Sequence, residues 1–345
     1  MKIIFINNSN NPDMVSYFES KRNINSKNII YGANRDYSKN RDGIITSSLS
    51  LRNRLTLFFL IDCFIGIFLA IKLKLLGVKF IVFDTAHISN IPLALIAKIF
   101  SIKLAFTIHD WNPHEGKMRG LTNMYNKFVE NFLANHFVVF SPIESKVPQT
   151  VLSLAGFKSD FSNFSKEKKS FLFFGRIQPY KGIKNLLDIA QKAQIDIPNY
   201  SITIMGKGSD PNLHKLKSMP NVNLTNEFIE EDKLNNELKK TLAVLLPYDS
   251  ATQSGVIIKS FSMGIPVIAF DVGALHYYIN HGYDGFLIKH GNISEFVKAM
   301  KLTIEKNQTL SNQVKKNYEE YYSEKALVKN YQSLIKILGE EFGKK

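Results

Sequence analysis

The chain has 345 residues, 45% of them hydrophobic, and at about 150 residues per domain this length predicts two domains. Lysine and arginine number 44 against 30 aspartates and glutamates, a net charge of +14, in an ordinary globular composition that excludes disordered, collagen-like and coiled-coil classes. A single cysteine, Cys63, cannot close an internal disulfide, and the apolar part of the first eight residues is too short for a signal-peptide core, so a reducing compartment, most simply the cytoplasm, is expected.

In chain order, residues 2–7 read as a strand, and residues 55–71 form a run that is apolar except for Asp62. Its 17 residues reach the lower limit for a membrane span, and Lys72, Lys74 and Lys79 follow directly. Three readings stay open for it: a buried helix of an α/β sandwich, a helix resting one face on an anionic bilayer with lysines adding attraction, or a true span. Strands at 79–84, 104–109 and 137–140 then alternate with helices at 90–100 and 122–135, the pattern of parallel strands with crossover helices. The polar stretch 162–170 interrupts this alternation and marks a domain boundary.

The alternation resumes with strands at 171–174, 201–205, 222–224, 242–247, 266–271 and 286–288, and helices near 183–193, 231–240, 255–263 and 294–305. An amphipathic helix at 325–342 closes the chain. The organisation is therefore an N-terminal Rossmann-like domain at 1–165, a C-terminal one at 166–325, and a final helix from 326 that either crosses back to the first domain or packs on a partner. Positive charge is spread nearly evenly, 19 − 11 over residues 1–165 and 25 − 19 over the rest, so no basic arm points to nucleic acid.

Chemistry concentrates where strands meet helices. Gly175, Arg176 and Lys181 lie between a strand and the helix near 183; a glycine turn there aims backbone N–H groups at an anion, Arg176 can fork onto two phosphate oxygens, and Lys181 adds a point charge. Gly206 and Gly208 form a second post-strand turn, which by itself reads most simply as a tight turn. A third junction holds Tyr248, Asp249, Thr252, Gln253, Ser254, Gly255, Val256 and Lys259; the amides after Ser254 suit an anion, although Thr252 or Ser254 could equally be an ordinary N-cap. On the switch-point rule the three turns rim one crevice at the carboxyl ends of the sheet. Asp249 and Asp271 stand at strand ends as turn formers or cleft carboxylates. His109, Asp110, His114 and Glu115 offer metal-ligand types, but Pro113 prevents one helical face from gathering them, and no metal site is expected.

Gly175-Arg176 with Lys181-Gly182, the Gly206/Gly208 turn, Ser254-Gly255-Val256, Gly264 with Pro266, and Asp271 with Gly273 together resemble the retaining glycosyltransferases of family 4. The resemblance is specific over residues 171–290 and looser before them. It implies a GT-B fold, two facing Rossmann-like domains with a cleft between them, and a metal-independent transfer from a nucleoside diphosphate sugar to a glycan or lipid-linked acceptor. No cofactor is implied beyond the sugar nucleotide itself. Arg176 and Lys181 match the family's diphosphate-binding pair, Ser254 to Val256 its phosphate-facing helix start, Gly206 the turn near the base, and His109 the strand-end histidine at the donor sugar. The family's two glutamates are absent: their places hold Ala251 or Thr252, and Lys259. Losing a charged hydrogen bond to ribose weakens donor binding by about 1.5–3 kcal/mol unless Thr252 and Gln253 substitute. The rival to an enzyme is a catalytically silent sugar-nucleotide-binding accessory protein of the same fold; an epimerase or phosphorylase on this plan is further off.

Overall fold

The alternating apolar runs build two separate parallel sheets in the computed structural model, which describes residues 2–7, 29–33, 44–45, 55–85, 87–111, 119–154, 158–161, 170–252 and 254–342. Contacts divide the chain into one unit of Met1–Gly156 with Glu324–Lys345 and a second of Phe157–Ser323. Each is a Rossmann-like α/β unit.

The first unit runs β1 (Lys2–Asn7), β2 (Ile29–Ala33), β3 (Ile44–Ile45), α1 (Leu55–Leu75), β4 (Val78–Phe83), α2 (Asn90–Ile99), β5 (Lys103–Ile108), α3 (Arg119–Phe128) with a π-helical turn at Val129–Leu133, β6 (His136–Val139) and β7 (Gln149–Val151). All strands pair in parallel in the order β3-β2-β1-β4-β5-β6-β7. Both faces are covered, which is why the strands read as unbroken apolar runs. Ile4, Ile81 and Leu104 pack under Leu69 and Leu73 of α1 and Leu93 of α2. On the opposite face Phe5, Phe80 and Val138 pack with Leu327, Tyr331, Leu334 and Leu338 of the C-terminal helix, Glu324–Phe342.

Helix α1 separates the three readings of its apolar sequence. No helix among the described residues is long and apolar enough to cross a membrane. Nor is the helix wholly buried. Asp62, Leu69, Ala70 and Leu73 are buried, and a Cβ on Gly66 would lie 3.3 Å from the Leu93 amide, so glycine lets α1 lie close against α2. The opposite face, including Phe64, Phe68 and Leu75, is exposed.

The second unit runs β8 (Ser170–Phe174), α4 (Ile183–Asp196), β9 (Ser201–Met205), α5 (Leu213–Lys217), β10 (Val222–Thr225), α6 (Glu231–Leu238), β11 (Thr241–Leu246), α7 (Gly255–Ser262), β12 (Val267–Phe270), β13 (Gly285–Ile288) and α8 (Ile293–Tyr321). Its parallel order is β10-β9-β8-β11-β12-β13. Helix α8 continues well beyond the expected end near residue 305, through a kink at Lys306. Its far end is anchored by Asn317, which donates to the buried Asp284 carboxylate at 2.7 Å. That carboxylate also accepts from the Asn280 amide and side chain, both at 2.8 Å.

Candidate functional site

In the second sheet the strand order reverses between β8 and β11, and a crevice forms at the carboxyl edge wherever neighbouring strands send their connections to opposite faces. The Gly175–Lys181 segment leaves β8 and the Tyr248–Val256 segment leaves β11, so both lie at this switch point. Close backbone approaches hold the turns together. Gly182 has φ 67°, and a Cβ on it would fall 1.8 Å from the Pro247 carbonyl oxygen. A Cβ on Gly206 would fall 1.8 Å from the Gly175 carbonyl oxygen, so only glycine permits the β8 and β9 turns to touch. Ile177 bridges Gly208, and Gly175 lies beside Val256 at the start of α7.

This packing brings Lys181 over Tyr248. The ammonium stands 3.8 Å from the centroid of the Tyr248 ring, which is itself fully buried, and 5.2 Å from the Tyr180 ring. Burial lowers the Lys181 pKa to about 8, and the neighbouring Arg176 guanidinium, itself exposed, pushes it the same way. Two like charges are thus brought together, an arrangement that an anion would relieve.

Helix α7 supplies the other half of the site. Ser254 occupies the N-cap with extended backbone, yet its side chain makes no cap hydrogen bond. The hydroxyl is buried facing that of Tyr248, close enough to interact with it, but neither oxygen reaches a partner in full hydrogen-bond geometry. The amides of Gly255 and Val256 have no carbonyl one turn earlier to bond. A helix start with an idle serine hydroxyl and two cations close by has the donors and the charge that phosphate oxygens would need.

The remaining expected residues take different parts. The Gly206 and Gly208 amides are spent on Thr225 O (3.1 Å) and Asn226 Oδ1 (3.1 Å), so this turn contributes shape rather than donors. Asn226 also donates back to Gly208 O at 3.0 Å, a clamp that the sequence did not reveal. Lys259, one turn into α7, is turned to Glu231 Oε1 at 2.9 Å. Thr252 is partly buried before α7, Ala251 is buried, and Gln253 lies outside the described residues, as do His114 and Glu115. Asp249 accepts from Asn185 Nδ2 and from His290 Nε2, both at 2.8 Å, while Asp271 stands 3.7 Å from His276.

In the first unit the strand order reverses between β1 and β4, whose ends carry buried Asn7 and Asp84. His109 follows β5, and its Nε2 lies 3.0 Å from the Asp84 carbonyl oxygen. A carbonyl only accepts, so Nε2 carries the proton and the ring orientation is fixed. Thr107 donates to Asp84 Oδ1 at 3.3 Å from the same strand end.

Two Rossmann-like halves, each a parallel sheet with its own switch point, define the GT-B class of α/β protein. The match extends over the full length of the Anabaena protein HepE in complex with UDP, with TM-score 0.70, 16% identity, and coverage of 99% of this chain and 100% of that one. Residues 168–306 match the family model described as "Glycosyl transferases group 1". The chain is 25% identical over 174 residues to a GDP-mannose:glycolipid 4-beta-D-mannosyltransferase of Xanthomonas campestris pv. campestris, covering 47% of this chain and 48% of that protein. It is also 27% identical over 141 residues to an uncharacterized glycosyltransferase of Haemophilus influenzae, 40% of each. The chain thus spans about half, or less, of the length of these curated relatives.

Proposed function

We propose that the protein transfers a sugar, with retention and without a metal, from a nucleoside diphosphate sugar to a glycan or lipid-linked oligosaccharide. The reaction is placed in the cytoplasm, in bacterial surface polysaccharide synthesis, with residues 55–79 touching the inner membrane face. The observation that carries the reading is the idle, buried Ser254 hydroxyl at the start of α7, with the Arg176–Lys181 cation pair at the same switch point. Negative charge grows on the leaving diphosphate in the transition state, and preorganised donors in a partly desolvated site stabilise it. Arg176 forks onto two phosphate oxygens, Lys181 adds its ammonium, and the Ser254 hydroxyl donates alongside the amides of Gly255 and Val256. These groups supply the neutralisation that a divalent ion would otherwise give. His109, its tautomer set by the Asp84 carbonyl, is proposed to serve the transferred sugar, and Thr252 with Gln253 to replace the family's missing glutamates.

The reading is supported by the group 1 match over the second unit and by the GDP-mannose and glycolipid chemistry of a relative. Calorimetric titration with UDP, GDP and ADP tests it. One nucleotide is expected to bind, and Arg176→Ala to weaken it by about a hundredfold, the worth of a bidentate charged contact. Absence of binding to all three overturns the donor site. Binding without donor hydrolysis or transfer would favour the silent accessory protein, the reading to which buried Ala251 and the Lys259–Glu231 pair point.

A further inference from the structure

The least expected surface of the first unit is the outer face of α1. Leu60, Phe64, Ile67, Phe68, Ile71 and Leu75 are all exposed there, Phe68 by 73% and Leu75 by 83%. At 100° per residue these six fall within an arc of about 100°, opposite the buried arc of Asp62, Gly66, Leu69, Ala70 and Leu73. Over about 22 Å of helix the large apolar side chains point away from the protein. Neighbouring α2 adds Leu95 and Ile99, the latter 79% exposed. A contiguous apolar face of this kind marks a contact surface rather than chance exposure.

Charge identifies what the face contacts. Lys72 and Lys74 fall just beyond the two borders of the apolar arc, one on each side. Helices α1 and α2 run antiparallel to the strands, so their C-terminal ends, with Lys72, Lys74 and Lys98, share one edge of the sheet with Lys79 at the start of β4; Lys103 at the same edge lies over the Phe342 ring on the opposite face. Lys72, Lys74, Lys79 and Lys98 are exposed, while the two carboxylates between residues 60 and 108, Asp62 and Asp84, are buried. A second copy would cover the apolar strip but would bring no exposed carboxylate from this stretch to meet the lysines, since Asp62 and Asp84 are buried. An apolar layer bordered by negative headgroups satisfies both features, and α1, whose inner face is packed on α2 and the sheet, would lie in the plane of the interface.

We infer that the outer face of α1, extended by Leu95 and Ile99 of α2, is a docking surface for an anionic lipid bilayer. Side chains from Leu60 to Leu75 enter the acyl boundary, and the lysines at the helix ends meet the headgroups. The inference gives a face and an orientation to the membrane contact in the proposed function, and it stands independently of the donor site.

Sedimentation of the full chain with mixed phosphatidylglycerol–phosphatidylcholine vesicles tests it, with pure phosphatidylcholine vesicles and sedimentation velocity alongside. Wild type is expected to bind the anionic vesicles, more weakly at high salt. The doubly exposed Phe64→Glu/Phe68→Glu variant, with an unchanged melting curve, is expected to lose at least about a hundredfold. Lys72→Gln is expected to lose about fivefold on anionic vesicles and nothing on neutral ones. Failure of wild type to bind anionic vesicles overturns the proposal, as does undiminished binding by the double variant. A wild-type dimer that the double variant abolishes, without vesicle binding, would make a second copy the occupant. Nucleotide titration is unaffected by these variants, so failure here and failure of the donor site are separate results.

Discussion

Replacing Lys181 by methionine probes the site through stability and binding in opposite directions. Burial and the Arg176 charge lower the ammonium pKa from 10.5 to about 8. At neutral pH that difference corresponds to about 3 kcal/mol of destabilisation of the folded state. The Tyr248 ring face, 3.8 Å away and desolvated, returns about 1–2 kcal/mol of cation–π attraction. The net cost of keeping Lys181 charged is therefore about 1–2 kcal/mol, and Lys181→Met, which fills similar space without charge, should be more stable than wild type by that amount near pH 7. The folded pKa is the depressed one, so the cost is fully present below about pH 8 and fades as pH rises towards 10.5. Urea denaturation of both proteins at pH 7 and about pH 9.5 reads this directly, the gap narrowing at the higher pH. Calorimetry on the same variant should show nucleoside diphosphate binding weakened by about tenfold to a hundredfold, since a charged hydrogen bond is worth about 1.5–3 kcal/mol. A variant no more stable than wild type at pH 7, or a gap that does not move with pH, refutes the reasoning.

Ser254→Ala removes a hydroxyl that the folded protein leaves idle, so urea denaturation should find stability unchanged within about 1 kcal/mol while nucleotide affinity falls by about tenfold or more. A larger loss of stability would show the hydroxyl working as a helix cap instead. Gly182→Ala places a Cβ 1.8 Å from the Pro247 carbonyl oxygen at φ 67° and should destabilise the second unit by about 3 kcal/mol or more in the same assay. A smaller loss would mean that the Gly182 turn can move away from β11.

Legibility followed burial. Strands covered on both faces, such as Phe171–Phe174 within β8 or the fully buried β11, carry their own unbroken apolar signal, and their limits read from the sequence fall within about two residues of the observed ones. β2, β3 and β7 went unread because they are short strands towards the sheet edges, defined by pairing with a neighbour rather than by an apolar run. The end of α8 was unread for a different reason: beyond Glu305 its sequence is mostly polar, and the helix is held by contacts such as Asn317 with Asp284. At the candidate site, the glycine turns and cations announced themselves because a parallel sheet delivers every strand-to-helix turn to one edge. Tyr248 did not. In sequence it is the residue after an apolar strand, and only the fold lays Lys181 across its ring. Helix α1 was ambiguous because a uniformly apolar segment contains no periodic signal for which face is buried; Asp62 and Gly66, both on the inner face, were the local clues.

The net charge of +14 resolves into groups with different physics. Lys181 is largely buried, so its field acts in a low-dielectric surrounding, where a cation is costly to hold and strong towards an anion that arrives. Lys72, Lys74, Lys79 and Lys98 are exposed, each nearly free of desolvation cost and each screened within a Debye length of about 8 Å at physiological salt. Exposed charges of this kind act only on a partner that presents many negative groups at once, and a lipid surface does so while also covering the apolar strip that the lysines border. A polyanion such as nucleic acid would satisfy the lysines and leave Phe64, Phe68 and Leu75 in water. The apolar residues between the charges, more than the charges themselves, therefore distinguish the two partners, and it is on them that the proposed lipid contact rests.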